Sequence, residues 1–226
     1  RRPLAAKVLL RIDYYANNNI GSMARELATS TYAEYSEFRK NRIFFVPIGG
    51  AGSGAQQVAR HLKIIRSVPN SSVVDLLELH RKGPEEVDVV VAFDDFSGTG
   101  QTIKEWWELN ETIVRTKEAE IVIGVLVLNN RARTTLEEIT SQVMTVQELL
   151  TDANVLHQDC EAFTSSEKAS LLALCRTTGC SEDYVRARGE CGLLVAFKHG
   201  CPNNSLPILW HNRDGVWESL FQRRST

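Results

Sequence analysis

One stretch constrains this chain more than any other: Val87 to Thr102, VDVVVAFDDFSGTGQT. Val87, Val89, Val90, Val91, Ala92 and Phe93 form an apolar, mostly β-branched run, the pattern of a strand buried on both faces of a sheet. It ends in two adjacent carboxylates, Asp94 and Asp95, followed by the turn Ser97-Gly98-Thr99-Gly100 and a helical pattern beginning near Thr102. A strand that runs into a Gly/Thr turn at a helix N-terminus gathers backbone N–H groups, hydroxyls and the positive end of the helix dipole in one place, which suits a phosphate. The acids can accept hydrogen bonds from a diol or hold a hydrated Mg²⁺. Anion grip and diol grip, a few residues apart, describe a sugar-phosphate site.

The order of these parts (apolar residues, Asp94-Asp95, three variable positions, then Thr99-Gly100-Gln101-Thr102) resembles the phosphoribosyl-pyrophosphate (PRPP) signature of type I phosphoribosyltransferases. The resemblance implies that Asp94 and Asp95 hold the ribose hydroxyls as catalytic residues. It also implies that Ser97, Gly98, Thr99, Gly100, Gln101 and Thr102 wrap the 5′-phosphate. Mg²⁺ would arrive with PRPP, with Asp94 and Asp95 as its candidate protein contacts and no dedicated metal cluster. The plain alternative is a strand-turn-helix whose Asp residues cap the turn.

A length of 226 residues fits one large α/β domain, and 43% hydrophobic with 24% charged residues is ordinary for a chain with a real core. The formal net charge of −2 gives no basic excess for a duplex or an anionic membrane, so neither nucleic acid nor membrane is an expected partner. No apolar run approaches the roughly 20 residues that cross a bilayer. The opening RRPLAAKVLLRIDYY is at best a weak signal peptide, because Lys7, Arg11 and Asp13 break its apolar run. Cys160, Cys175, Cys180, Cys191 and Cys201 are odd in number and contain no CxxC pair, which favours reduced thiols and a cytoplasmic setting.

Residues 1–42 read as helical, with Met23, Leu27, Thr31 and Tyr35 at helical spacing. The strand Ile43–Ile48 follows, then Gly49-Gly50-Ala51-Gly52-Ser53-Gly54 and a helix over Ala55–Lys63. This second strand, glycine loop and helix repeats the anion-binding logic of the first. Alone it is ambiguous, since Gly50-x-Gly52-x-x-Ala55 with Asp75 about 20 residues on also fits a loose dinucleotide fingerprint. Beside the acidic pair, Gly49, Gly50, Ala51, Gly52 and Ser53 sit where the resemblance puts a pyrophosphate loop.

A short strand at Ile64-Ile65, a turn at Pro69–Ser72 and a helix over Val73–Arg81 are expected next. The resemblance places a mobile catalytic loop in this region, but the segment is short and helical for a long version; Arg81 and Lys82 are its only basic candidates, with plain solvation as the favoured account. Beyond the signature come a helix over Thr102–Arg115, a central strand Glu120–Leu128, a helix Thr134–Ile139 and a strand Gln142–Val146. Arg131 and Arg133 stand at the same rim as the signature, able to reach a pyrophosphate or simply to be solvated. Alternating strands and helices give an α/β fold with a doubly wound, mainly parallel sheet. The expected division is a single domain over 1–226: a helical extension 1–42, a core 43–150 and a C-terminal helix, strand and hood segment 151–226. In that last part Thr164–Cys175 has a capping box with Glu167, Cys191–Lys198 reads as a strand, and PNNSLPILW offers Asn203 and Asn204 as base readers with Trp210 as a stacking platform. A structural tail is the competing account. His199, His211, Cys191 and Cys201 match no zinc spacing.

In purine-salvage members of the resembled family an Asp precedes the Thr-Gly as general base; here the position is Gly98, which cannot move a proton. The DDF-S-GTG variant and the PNNSLPILW tail resemble phosphoribosyltransferase-like domains of bacterial anti-phage defence modules. The expectation is therefore a protein that binds PRPP or a nucleotide and transfers or cleaves a phosphoribosyl group with Mg²⁺, as a homo-oligomer or with a protein partner in such a module. The alternatives are a non-catalytic PRPP or nucleotide sensor and a dinucleotide-binding oxidoreductase.

Overall fold

A computed structural model describes residues 2–50 and 52–221. The backbone gathers into two compact units: Asn18–Glu148, and the chain up to Asn17 together with the residues from Leu149 on.

The central unit is built on a four-stranded sheet, β2 (Ile43–Pro47), β3 (Val89–Ser97), β4 (Glu120–Asn129) and β5 (Val143–Leu149), in that spatial order. β2 pairs parallel with β3 from Ile43↔Val89 to Pro47↔Phe93, and β3 with β4 from Val89↔Glu120 to Ser97↔Leu128. The middle strands carry continuous apolar runs, Val89–Phe93 and Ile121–Leu128, because both faces are covered. On one face Phe44, Val46 and Val90 pack with Leu79 of α4 (Leu76–His80) and with Trp107 and Val114 of α5 (Gln101–Arg115). Ala92, Ile123 and Val125 meet Ile103 and then Ala132 and Leu136 of α6 (Asn130–Glu137). On the other face α2 (Asn17–Glu34) sets Tyr32 edge-on to Phe45 at 5.9 Å, and α3 (Gly54–Lys63) lies beside it. Gly124 leaves room for that face to close: a Cβ there would lie 3.2 Å from both Leu27 and Val91 side chains. This is the expected α/β fold with parallel strands between helical layers.

The terminal unit holds α1 (Arg2–Leu9), β1 (Asp13–Tyr15), α7 (Ser165–Thr177), α8 (Glu182–Val185) and β6 (Val195–Phe197). β1 pairs parallel with β6, and Phe163, Leu171, Cys175, Leu194, Leu206 and Leu209 form its core. Thr164 and Glu167 make the expected capping box on α7, and Lys7 of α1 is ion-paired to Glu167 at 2.7 Å.

Several expected boundaries are corrected. Residues 1–42 are not helical throughout: Asp13–Tyr15 is a strand, recruited by β6, so the first seventeen residues group with the C-terminal segment. Ile64-Ile65 is no strand; Ile64 ends α3, and Val73 and Val74 run beside β2 instead, with Val74 N–H donating to Phe45 O at 3.1 Å. That pairing shortens the expected Val73–Arg81 helix to α4, which starts after the capping box of Asp75 with Glu78. α6 starts at Asn130 rather than Thr134 and ends at Glu137, with the buried Asn129 as its N-cap. β5 spans Val143–Leu149 rather than Gln142–Val146, and β6 keeps only Val195–Phe197 of the expected Cys191–Lys198.

Candidate functional site

The parallel register brings the C-terminal ends of β2, β3 and β4 to one rim, with the N-termini of α3, α5 and α6 following them. In a parallel sheet this is the edge where ligands bind.

β3 carries Asp94 and Asp95 inside its last turns of pleat rather than beyond them, since the strand continues through Ser97. Both acids are buried, at 9% and 8% exposure. Asp94 Oδ1 accepts the Asp95 N–H at 2.9 Å, and the Asp94 carboxyl also accepts the Ala55 N–H and is hydrogen-bonded to the Asp95 side chain. Two carboxyl groups in contact and away from water cannot both hold full charge. Burial first, then the Asp95 charge and the Asp95 hydrogen bond, push Asp94 well above the usual carboxylate range, while the two backbone amides pull the other way.

Gly54 stands outside the expected site residues, and Ala55 enters them only through the dinucleotide fingerprint. Gly54 opens α3, and a Cβ on it would fall inside the Asp95 carboxyl group, so only glycine lets the helix head meet the acid pair. Ala55 contributes its N–H to Asp94. The available signal was a glycine run one residue longer than a tight turn needs.

Gly100 has φ +80°, and a Cβ there would lie 2.8 Å from Thr135 Cβ and 3.2 Å from Ala132 O. Backbone conformation and close approach to α6 therefore both demand glycine. α5 has no side-chain cap and no acid in its first turn, leaving the dipole's positive end uncountered. Ser97 and Gly98 are buried, Thr99 is half-buried, and Gln101 and Thr102 are exposed, with Gln101 Nε2 donating to Glu105 Oε1 at 2.9 Å.

In the loop after β2, Gly49 and Gly52 have φ of +87° and +93°, and Gly49, Gly50 and Gly52 are exposed. Ser53 N–H donates to Gly50 O at 3.2 Å and Ser53 Oγ lies 3.4 Å from Ile48 O. Ala51 lies outside the described residues.

Other candidates are placed elsewhere or committed. Arg133 is ion-paired with Glu148 at 2.8 Å, whereas Arg131 is exposed in the first turn of α6. Lys82 Nζ sits 4.9 Å over the Phe44 ring, and Arg81 is exposed. Asp75, the acid of the dinucleotide fingerprint, is spent on capping α4. Within the terminal unit Asn203 is half-buried, and Asn204 Nδ2 donates to Arg188 O at 3.0 Å. Trp210 is 8% exposed, donates to Ser205 O at 2.8 Å and meets the Tyr184 ring edge-on at 5.9 Å. The Asn204 amide and the Trp210 indole thus serve the unit's own interior. Burial pushes the Cys175 thiol up to about 12, away from nucleophile chemistry, and no disulfide joins the five cysteines.

Among the described residues no three His, Cys, Asp or Glu side chains converge as a metal set, and no helix is long and apolar enough to cross a membrane.

Comparison with curated proteins returns no match. Among solved structures the chain is similar to a Leishmania donovani UMP synthase at 21% identity and TM-score 0.39, covering 69% of this chain. The chain spans about a third, 32%, of that protein's length. It is also similar to the Helicobacter pylori xanthine-guanine-hypoxanthine phosphoribosyltransferase at 6% identity and TM-score 0.39, over 61% of this chain and 88% of that one. A third is the Mycobacterium tuberculosis orotate phosphoribosyltransferase solved with PRPP, at 16% identity and TM-score 0.36, over 58% and 74% of the two chains. The family model that matches, PRTase-CE, runs over residues 1–223, both units included. The chain belongs to the PRTase-CE family.

Proposed function

We propose that this protein grips the phosphoribosyl group of PRPP or a nucleotide and transfers or cleaves it. The observation that carries this reading is the convergence at one rim of the Asp94–Asp95 pair, the head of α3 at Gly54-Ala55 and the uncapped head of α5 behind Gly100. The 5′-phosphate would lie on the Gly98–Thr102 turn, where backbone amides and the helix dipole favour an anion. The acid pair would take the ribose hydroxyls and oppose the positive charge that builds on the ring as the anomeric bond breaks. Rate would come from positioning and charge stabilisation, because Gly98 offers no proton-transfer group.

The acid pair also fits Mg²⁺, since two contacting carboxyl groups offer hard oxygen donors and a cation would relieve their repulsion. The ion would come with a diphosphate ligand, neutralising its charge. A single phosphoribosyltransferase-like domain, a cytoplasmic setting and a protein partner in an anti-phage defence module belong to the same proposal.

Calorimetry with PRPP and Mg²⁺, beside a pyrophosphate-release assay over a panel of bases and a nucleotide-cleavage assay, tests it. Replacing both acids (Asp94→Asn with Asp95→Asn) abolishes turnover and leaves the circular dichroism spectrum unchanged; retained turnover removes the reading. The second reading, a non-catalytic sensor, draws on Gly98 and on the burial of the acid pair, and its signature is binding without release.

A further inference from the structure

Helices α3 and α5 carry one surface pattern in opposite charge. On α3, Arg60 and Lys63 are exposed, and Ile64, the C-cap residue with helical backbone, is 78% exposed. On α5, Glu105 and Glu108 are exposed and Leu109 is 84% exposed. Each set stands at positions i, i+3 and i+4, so two like charges and one aliphatic side chain share a helix face. Among the described large apolar side chains of the central unit, Ile64 and Leu109 are the most exposed. α3 contains no acid, and neither its cations nor Glu105 and Glu108 form an ion pair with a described residue. Glu105 accepts the Gln101 amide, and Lys104, the cation beside Glu108, is committed to Glu138 at 2.6 Å. The helix dipole accounts for cations in the last turn of α3. It does not account for an isoleucine set among them, or for a leucine set in the same way beside two acids.

The two faces cannot meet within one chain. α5 covers one side of the sheet, and α3, whose His61 lies 3.1 Å from where a Cβ on Gly21 of α2 would fall, belongs to the layer on the other. We infer that the Arg60-Lys63-Ile64 face of one copy docks on the Glu105-Glu108-Leu109 face of a second copy of this chain. The aliphatic pair leaves water at the centre with opposite charges around it, the layout of an apolar core and polar rim. A free anion would answer the cations and leave Ile64 in water, whereas the α5 face answers both. The contact joins unlike surfaces, so each pair keeps one unused face of each kind and can extend into rings or open chains of copies. One face from each of two helices buries less than a standard interface. Association is therefore weak, with a Kd on the order of 10–100 μM, and sensitive to salt.

Sedimentation velocity on the full chain, from about 1 to 200 μM protein at about 50 and 500 mM NaCl, reads the association. The unaltered chain is expected to associate at the lower salt and to fall to monomer at the higher. Arg60→Glu with Lys63→Glu makes both faces acidic, and Glu105→Lys with Glu108→Lys makes both basic. Each chain by itself is expected to associate at least about tenfold more weakly. Mixed in equal amounts, the two are expected to associate about as well as the unaltered chain, because each supplies the face the other needs. Leu109→Ser is expected to weaken association about threefold and to leave its salt dependence unchanged. A chain that stays monomeric at the lower salt overturns the inference. So does association that survives both charge reversals, a loss confined to one of them, or a mixture that stays monomeric. Association that disappears on nuclease treatment overturns it too, since the cations would then be holding nucleic acid. Where circular dichroism shows that a reversed chain does not fold, Lys63→Gln and Glu108→Gln take its place. Each is expected to weaken association about threefold, and unaltered affinity in either overturns the inference.

Discussion

The loops Gly49–Ser53 and Gly98–Thr102 are written in one grammar and folded to different ends. Each follows a buried parallel strand and each leads into a helix that its own N-cap residue, Ser53 or Gly100, leaves without a side-chain cap. The head of α3 is then met from the neighbouring strand by Asp95, whose carboxyl lies where a Cβ on Gly54 would fall, while the first turn of α5 carries no acid. The glycines differ as well: Gly100 is held by a positive φ and by Thr135, whereas Gly50 faces open space. Local sequence builds the potential for an anion site at both places. What crosses from the adjacent strand sets the two helix heads apart.

Substitutions at the glycines break this comparison most severely. Gly100→Ala combines backbone strain at φ +80° with a Cβ 2.8 Å from Thr135, and is expected to cost about 2–4 kcal/mol, read from urea unfolding. Ribose-phosphate binding is lost with it, because the turn that presents the α5 amides moves. Gly52→Ala, at φ +93° with nothing within 4 Å, carries strain alone and is expected to cost about 1–2 kcal/mol. Equal costs at the two positions would show that the contact with α6 does not hold the signature turn.

How far this asymmetry was legible follows from where its causes lie in the chain. The sheet was readable because Val89–Phe93 and Val122–Leu128 are buried on both faces, and a strand with two covered faces needs no alternation. The signature was readable because Asp94 to Thr102 is one continuous piece. The α3 cap was not, since Gly54 and Asp95 stand forty-one positions apart and only pairing of β2 with β3 brings them together. The same holds for Asp13–Tyr15, whose three residues carry no strand pattern until Val195–Phe197 pairs with them. Asn204 and Trp210 show the opposite trap. A polar amide and an indole near a loop look alike whether they read a base or satisfy Arg188 O and Ser205 O.

The acid pair sharpens the comparison through pH. Asp94 is raised from 3.8 by burial and by Asp95, so the native state holds this proton more tightly than the unfolded chain. The resulting stability is complete below the unfolded value and is lost as pH rises through the folded one. Asp94→Asn imitates the protonated acid and cannot titrate. It is therefore expected to melt above the unaltered chain at neutral pH, with the gap closing toward pH 4. Thermal melts of both proteins across that range check the sign, and a gap that widens toward acid would show Asp94 held ionised.

The smallest expected effect is the most discriminating one. At Gly50 the conformation is ordinary and a Cβ meets nothing within 4 Å, so Gly50→Ala is expected to leave stability within about 0.5 kcal/mol, or raise it slightly by stiffening the unfolded chain. The consequence lies in binding. If the 5′-phosphate lies on the Gly98–Thr102 turn as proposed, a methyl group on Gly50 changes ribose 5-phosphate affinity less than about twofold, since a monophosphate held there does not reach this backbone. A loss of ribose 5-phosphate binding in a fully stable Gly50→Ala chain would mean that both loops touch the ligand, and that the acid at the head of α3 is not what separates them.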